Sequence, residues 1–129
     1  MSDRPHPRPP IDYLNNPPNL GRPEEFTHEG YADYGGSAPR ASMYFVVVDG
    51  NIELARFAAF GCGHLIACCS AATMLCQGRT IEQCREIQPA HVEFLVGGLP
   101  PGRKYCAEIA AAAVGNAFRT DGPSGSSDA

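Results

Sequence analysis

Residues 42–78 read SMYFVVVDGNIELARFAAFGCGHLIACCSAATMLCQG, and their pattern decides the fold. Residues 42–48 are β-branched and aromatic, the composition of a strand. Asp49-Gly50 follows, a pair suited to a tight hairpin turn. Residues 52–60 alternate on their polar members and read as the returning strand. Gly61-Cys62-Gly63 then turns the chain sharply into a helix over residues 64–77, closed by Gly78. On that helix Leu65, Cys69, Ala72 and Cys76 share one face at helical spacing.

Downstream, Thr80 stands as an N-cap with Gln83 three residues on, a capping box that opens a second helix, and Pro89 ends it. Residues 90–97 fit either a short helix or a strand. Gly97-Gly98-Leu99-Pro100-Pro101-Gly102 is a stiff loop, and residues 105–118 form an alanine-rich helix of high propensity. Upstream, residues 11–20 suit a short helix or turn, stopped by Pro17-Pro18 and Gly21. Residues 22–40 read as loop, broken by Gly30, Gly35, Gly36 and Pro39. Strands come first and helices follow. The expected class is α+β, a small antiparallel sheet with helices packed on one face.

Eight of the 12 prolines lie in residues 1–39. Residues 1–10 are expected to be a flexible N-terminal segment, residues 11–119 the folded domain, and residues 120–129 a disordered tail. No internal repeat is visible. Ten Lys and Arg against 14 Asp and Glu leave a formal charge of −4. That balance lacks the basic excess of a nucleic-acid-binding surface. No apolar stretch is long enough to span a bilayer, and the N-terminus has no apolar core of a secretory signal. A cytoplasmic location is therefore expected.

The six cysteines are Cys62, Cys68, Cys69, Cys76, Cys84 and Cys106. A reducing cytosol keeps thiols free, which argues against three disulfides. No C-x2-C knuckle is present, so a zinc ribbon is excluded. Cys62 sits between two glycines immediately before a helix, where the dipole favours a thiolate. The competing role is a small buried filler, against which the two flanking glycines argue. Cys106 opens the last helix, with Arg103 and Lys104 alongside to lower its pKa. Cys69, Cys76 and Cys84 read as core residues. Cys68 reads equally as core or as a member of the Cys62 pocket. His64 could complete a soft ligand set or remain a solvated helix residue. His91 and Glu93 carry no spacing signal, and His6 and His28 read as solvated.

Taken in order, Asn16-Pro17-Pro18-Asn19-Leu20-Gly21, Ala38-Pro39, Ala55-Arg56-Phe57 with Phe60-Gly61-Cys62-Gly63, and Gly98-Leu99-Pro100-Pro101 before Cys106 form a specific set. Through them the chain resembles the iron–sulfur cluster assembly scaffolds of the IscU type, including the N-terminal domain of NifU, over residues 13–118. The resemblance implies an α+β scaffold with a cluster or zinc ion held at one end. In that family three cysteines, an aspartate and a histidine mark the site. Cys62 and Cys106 match the second and third cysteines. Ala41 stands at the first cysteine, Met43 at the aspartate and Tyr105 at the histidine. The loop that the family's dedicated chaperone recognises reads Leu99-Pro100-Pro101-Gly102-Arg103, with two departures that weigh against chaperone docking.

Two thiolates do not close a four-coordinate site. His64, Cys68, Tyr105 or a small thiol could complete it. Two protomers could instead each give Cys62 and Cys106 to a shared cluster, 2Fe–2S or 4Fe–4S. Or the site has lost its metal. The leading expectation is a scaffold or carrier, not an enzyme. It takes sulfur from a cysteine desulfurase, binds a labile cluster, iron or zinc, and passes the cluster to apo-proteins. The alternatives are a non-metal interaction or regulatory module, suggested by Ala41, Met43 and Tyr105, and a persulfide relay between Cys62 and Cys106. The relay ranks last because no histidine or carboxylate stands at an evident base position.

Overall fold

The computed structural model describes residues 17–36 and 38–119. The expectations for residues 1–10, for the first part of the 11–20 segment, for His6, for Asn16 and for the 120–129 tail lie outside the described residues. Strands β1 (His28–Asp33), β2 (Arg40–Val48) and β3 (Asn51–Phe60) come first. Helices α1 (Gly63–Cys76), α2 (Ile81–Arg85), α3 (Pro89–Leu95) and α4 (Tyr105–Ala117) follow, with a 3-10 turn at Pro101–Arg103. Both strand pairs are antiparallel in the order β1-β2-β3, so the α+β class stands.

The β2–β3 hairpin turns at Asp49 (φ 54°) and Gly50 (φ 80°), two left-handed residues of the kind a two-residue hairpin needs. A register shift follows: Val47 faces Ile52, whereas Val46 faces Leu54. Glu53 is thereby the extra residue of a bulge. The bulge lets Ile52 and Ala55, three apart, both face the core with Ala41, Met43, Phe45 and Phe57.

Two readings differ from expectation, and an open one is resolved. Residues 28–33 are a strand rather than loop, because Gly30 is where α4 crosses the sheet. A Cβ there would lie 1.9 Å from the Ala113 carbonyl oxygen and 2.5 Å from the Ala117 nitrogen. The glycine that looks like a breaker is the close-approach point. The ambiguous segment is helical: Pro89 opens α3 at its first turn, and α2 has already ended at Arg85. The Thr80–Gln83 capping box is present, and Gly78 (φ 83°) follows the end of α1.

Burial on α1 runs beyond the expected face to Ala67, Cys68, Ser70, Ala71 and Thr73. The helix packs on β3 and against α4, which itself lies on β1 and β2, so it is covered on most sides. Its two buried hydroxyls anchor residues 18–21. Ser70 Oγ donates to the Pro18 carbonyl at 2.7 Å, and Asn19 Nδ2 donates to Thr73 Oγ1 at 3.0 Å. Gly21 N donates to Phe57 O at 2.7 Å, and Phe57 N donates to Asn19 O at 3.0 Å. The motif segment therefore caps the free edge of β3 and fixes the α1 register.

Gly30→Ala is expected to destabilise the chain by about 2 kcal/mol or more, because helix α4 must move off the sheet. Gly102→Ala, with open space around the added methyl, is expected to leave stability unchanged. Urea denaturation of the two variants checks this. Equal midpoints would contradict the close-approach role.

Candidate functional site

The hairpin's far strand ends at Phe60, and Gly61 carries the chain over Pro39 and Leu65 into α1. A Cβ on Gly61 would come within 2.8 Å of Leu65 Cδ2 and 3.0 Å of Pro39 Cβ, so the turn is as tight as the backbone permits. It leaves Cys62 as the N-cap of α1. Cys106 is the second residue of α4. The sheet holds both helices with their N-terminal ends together. The Cys62 and Cys106 sulfurs meet at 3.8 Å across 44 residues of sequence.

The two thiols are held differently. Cys62 is half-buried. Burial pushes its thiol up, but the Leu65 backbone N–H, the Cys106 thiol, the His64 backbone N–H and the Tyr105 hydroxyl all act the other way. The net result is below the ordinary thiol value. Cys106 is fully buried. Burial first, then the neighbouring Cys62 charge, pushes it up to about 12. Of the pair, Cys62 ionises more readily and Cys106, sealed beneath it, less readily. The expectation that Arg103 and Lys104 lower Cys106 is corrected. Lys104 turns to an ion pair with Glu93, and Arg103 is the weakest influence on the thiol.

The other expected participants are not drawn into a ligand set. Cys68 is fully buried behind the pair, and its thiol is pushed far up, chiefly by burial. His64 contributes through its backbone N–H. Among the described residues, no group of three or more His, Cys, Asp or Glu is arranged to hold an ion. Cys69, Cys76 and Cys84 lie in the core as expected, Cys84 donating to the Cys76 carbonyl at 3.8 Å. Ala41 and Met43 are core residues on the inner face of β2. Leu99 is buried and its N–H is held by Glu93, so Pro100 and Pro101 form the exposed part of that loop.

Tyr105, which stands at the family's histidine and was one of the residues that could complete the ligand set, acts on both thiols. Its hydroxyl acts to lower the Cys62 thiol and, more weakly than burial raises it, the Cys106 thiol. Its ring stacks on exposed Tyr34 at 5.2 Å between centroids and 32° between planes. The signal was available in the polar tip of a residue directly preceding Cys106. Across the mouth, Arg40 lies 4.7 Å over the ring of exposed Phe60.

The family model described as NifU-like N terminal domain matches residues 9–120. An iron-sulfur cluster assembly scaffold protein IscU 1 from Archaeoglobus fulgidus is 34% identical over 116 residues, covering 87% of this chain and 76% of the relative. The IscU scaffold protein of Azotobacter vinelandii is 33% identical over 114 residues, covering 84% and 88%. The crystal structure of a nitrogen-fixing NifU-like protein (N-terminal) from Brucella abortus superposes with a TM-score of 0.66 at 15% identity. It covers 85% of this chain and 89% of that one, a likeness of fold.

Because its pKa is depressed, Cys62 is expected to keep reacting with iodoacetamide as pH falls below the range of an ordinary thiol, while Cys68 and Cys69 react only on unfolding. Cys106→Ala removes a donor and is expected to move the midpoint of Cys62 alkylation to higher pH. Peptide mass spectrometry across a pH series reads both. An unmoved midpoint, or Cys106 reacting first in the native chain, would contradict the assignment.

Proposed function

The chain belongs to the NifU-like N-terminal domain family, and on that basis we infer that it is an iron–sulfur cluster assembly scaffold that carries a cluster as cargo. The observation that supports this reading most is the 3.8 Å separation of the Cys62 and Cys106 sulfurs. Two thiolates on one tetrahedral ion, each at about 2.3 Å, stand about 3.8 Å apart. The free chain already holds its sulfurs at the spacing of a shared ion, so loading the cargo needs loss of protons rather than movement of helices.

The different protonation of the pair assigns separate tasks. Cys62, half-buried and the more readily ionised of the two, is the sulfur acceptor. It attacks the terminal sulfur of a persulfide on a cysteine desulfurase, the new S–S bond forming as the desulfurase thiolate leaves. Cys106 donates its hydrogen bond to Cys62 and becomes the second ligand once a cation drives off its proton. Within the chain this gives one iron two protein ligands, half of its coordination. A second copy of the chain would supply the same pair to a second iron, and the two irons bridged by sulfide form a 2Fe–2S cluster. A 4Fe–4S cluster or a lone zinc ion would use the same sulfurs.

Ligation by two residues per chain, at a mouth rather than in a closed shell, suits a cargo that must leave for apo-protein acceptors. This reading makes the chain a carrier rather than an enzyme. It works in the cytoplasm, consistent with the absence of a membrane-spanning helix among the described residues. The exposed Pro100 and Pro101 are where a chaperone would dock. Glycine and arginine at positions 102 and 103 leave that surface unlike the family's usual one.

Anaerobic reconstitution with iron and sulfide is expected to give visible cluster absorbance, and native mass spectrometry two chains per cluster. Cys62→Ser and Cys106→Ser are each expected to abolish the colour. Undiminished absorbance in either variant, or none in the native chain, would overturn the reading.

A further inference from the structure

We propose that the Cys62–Cys106 pair releases sulfide: Cys106 attacks a persulfide held on Cys62, the outer sulfur leaves as hydrosulfide, and a Cys62–Cys106 disulfide forms. The proposal rests on the scaffold reading for the arrival of sulfur at Cys62 and adds what happens to that sulfur next. Placement carries it. The two sulfurs are in contact at 3.8 Å, Cys62 is half-buried at the mouth, and Cys106 is fully buried beneath it. Displacement at sulfur needs the attacking, attacked and leaving atoms close to one line. An outer sulfur on Cys62 has room on the open side. Cys106 then stands at the back of the attacked atom, and displacement drives the outer sulfur toward solvent.

Burial also sets the order of events. A bulky sulfur donor meets Cys62 and cannot reach Cys106, so sulfur enters at one thiol and the other is kept for the second step. Among the cysteines, Cys106 is the one in hydrogen-bond contact with the Cys62 sulfur. Cys69, Cys76 and Cys84 are taken up by the core. The step balances within the chain. The Cys106 S–H proton passes to the outgoing sulfur, the bond between Cys106 and Cys62 forms, and the bond between Cys62 and the outer sulfur breaks. The outer sulfur gains two electrons, and the two cysteine sulfurs lose two between them. No external reductant enters. A dithiol reductant afterwards reopens the disulfide by exchange, supplying two electrons per chain. While the bridge stands the sulfurs cannot ligate a metal, so sulfide release precedes iron binding. One sulfide per chain also fits two chains on a 2Fe–2S cluster, each bringing one of its two sulfides.

Mixing the reduced, metal-free full chain with an equimolar amount of glutathione persulfide, anaerobically and with an iodoacetamide quench, tests the proposal. The native chain is expected to release about one sulfide per chain and to lose the mass of two hydrogens, with a Cys62–Cys106 bridge in the non-reducing peptide map. Cys106→Ser and Cys106→Ala are each expected to stop at a Cys62 persulfide, heavier by one sulfur atom, without the sulfide. The native bridge is read without any variant. A native chain that keeps the extra sulfur on Cys62 while Cys106 stays free would overturn the proposal. So would a bridge from Cys62 to another cysteine, equal sulfide from native chain and Cys106 variants, or failure of Cys62 to take up sulfur. Reconstitution with iron and free sulfide bypasses the release and separates the two readings. A cluster formed there by a chain that makes no bridge leaves the scaffold standing and removes the release, whereas absence of a cluster removes the scaffold.

Discussion

Two sulfur atoms 44 residues apart in sequence are held 3.8 Å from each other, and most of the architecture can be traced to the demands of that contact. It requires the N-terminal ends of α1 and α4 to converge at one end of the sheet. Helix α4 reaches its place because Gly30 lets its backbone lie directly on β1, a contact any side chain would block. Helix α1 reaches its place because Gly61 turns within van der Waals distance of Pro39 and Leu65. The far end of α1 is tied to β3 by the paired hydrogen bonds of Ile52 with Gly78 and Arg79. Its middle is tied by Ser70 and Thr73 to residues 18 and 19. Each tie removes a way for the helix to slide, and a slide of one residue, about 1.5 Å, would separate the sulfurs.

The electrostatics of the pair follow from the same placement. A thiolate at a helix N-terminus is stabilised by N–H groups that have no partner within the helix. Cys62 receives Leu65 and His64 in this way. Cys106 lies at a helix start too, yet it is sealed beneath its neighbours, and burial beats the dipole. Two like thiols so close cannot both ionise cheaply, so a charge on Cys62 pushes Cys106 up. Around them the outer rim is aromatic, with Tyr34 and Phe60 well exposed, while the inner face of β2 is closed by Ala41 and Met43.

What was legible in the sequence was local. The Asp49-Gly50 turn, the Thr80–Gln83 box and the Gly61-Cys62-Gly63 elbow each depend on residues a few positions apart, and each has its expected place. What was not legible depends on distant partners. Strand β1 looks like loop because its glycine makes sense only against α4, whose Asn116 donates to the Tyr31 carbonyl 85 residues away. The Cys106 pKa was misjudged because burial and the neighbouring Cys62, neither readable from spacing, push it up, while Lys104 pairs with Glu93. Tyr105 was left as one of several residues that could complete the ligand set, because spacing alone does not give side-chain direction. The family motifs carried the fold, but only coordinates could show that the two sulfurs meet.

The direct test of the central claim is zinc-edge X-ray absorption on the protein loaded with one ion per chain. Two sulfur neighbours at about 2.3 Å, with lighter atoms completing the shell, are predicted for the native chain, falling to one sulfur in Cys106→Ala. A shell of nitrogen and oxygen alone would contradict it, since the two sulfurs would then stand together for a reason other than gripping a metal.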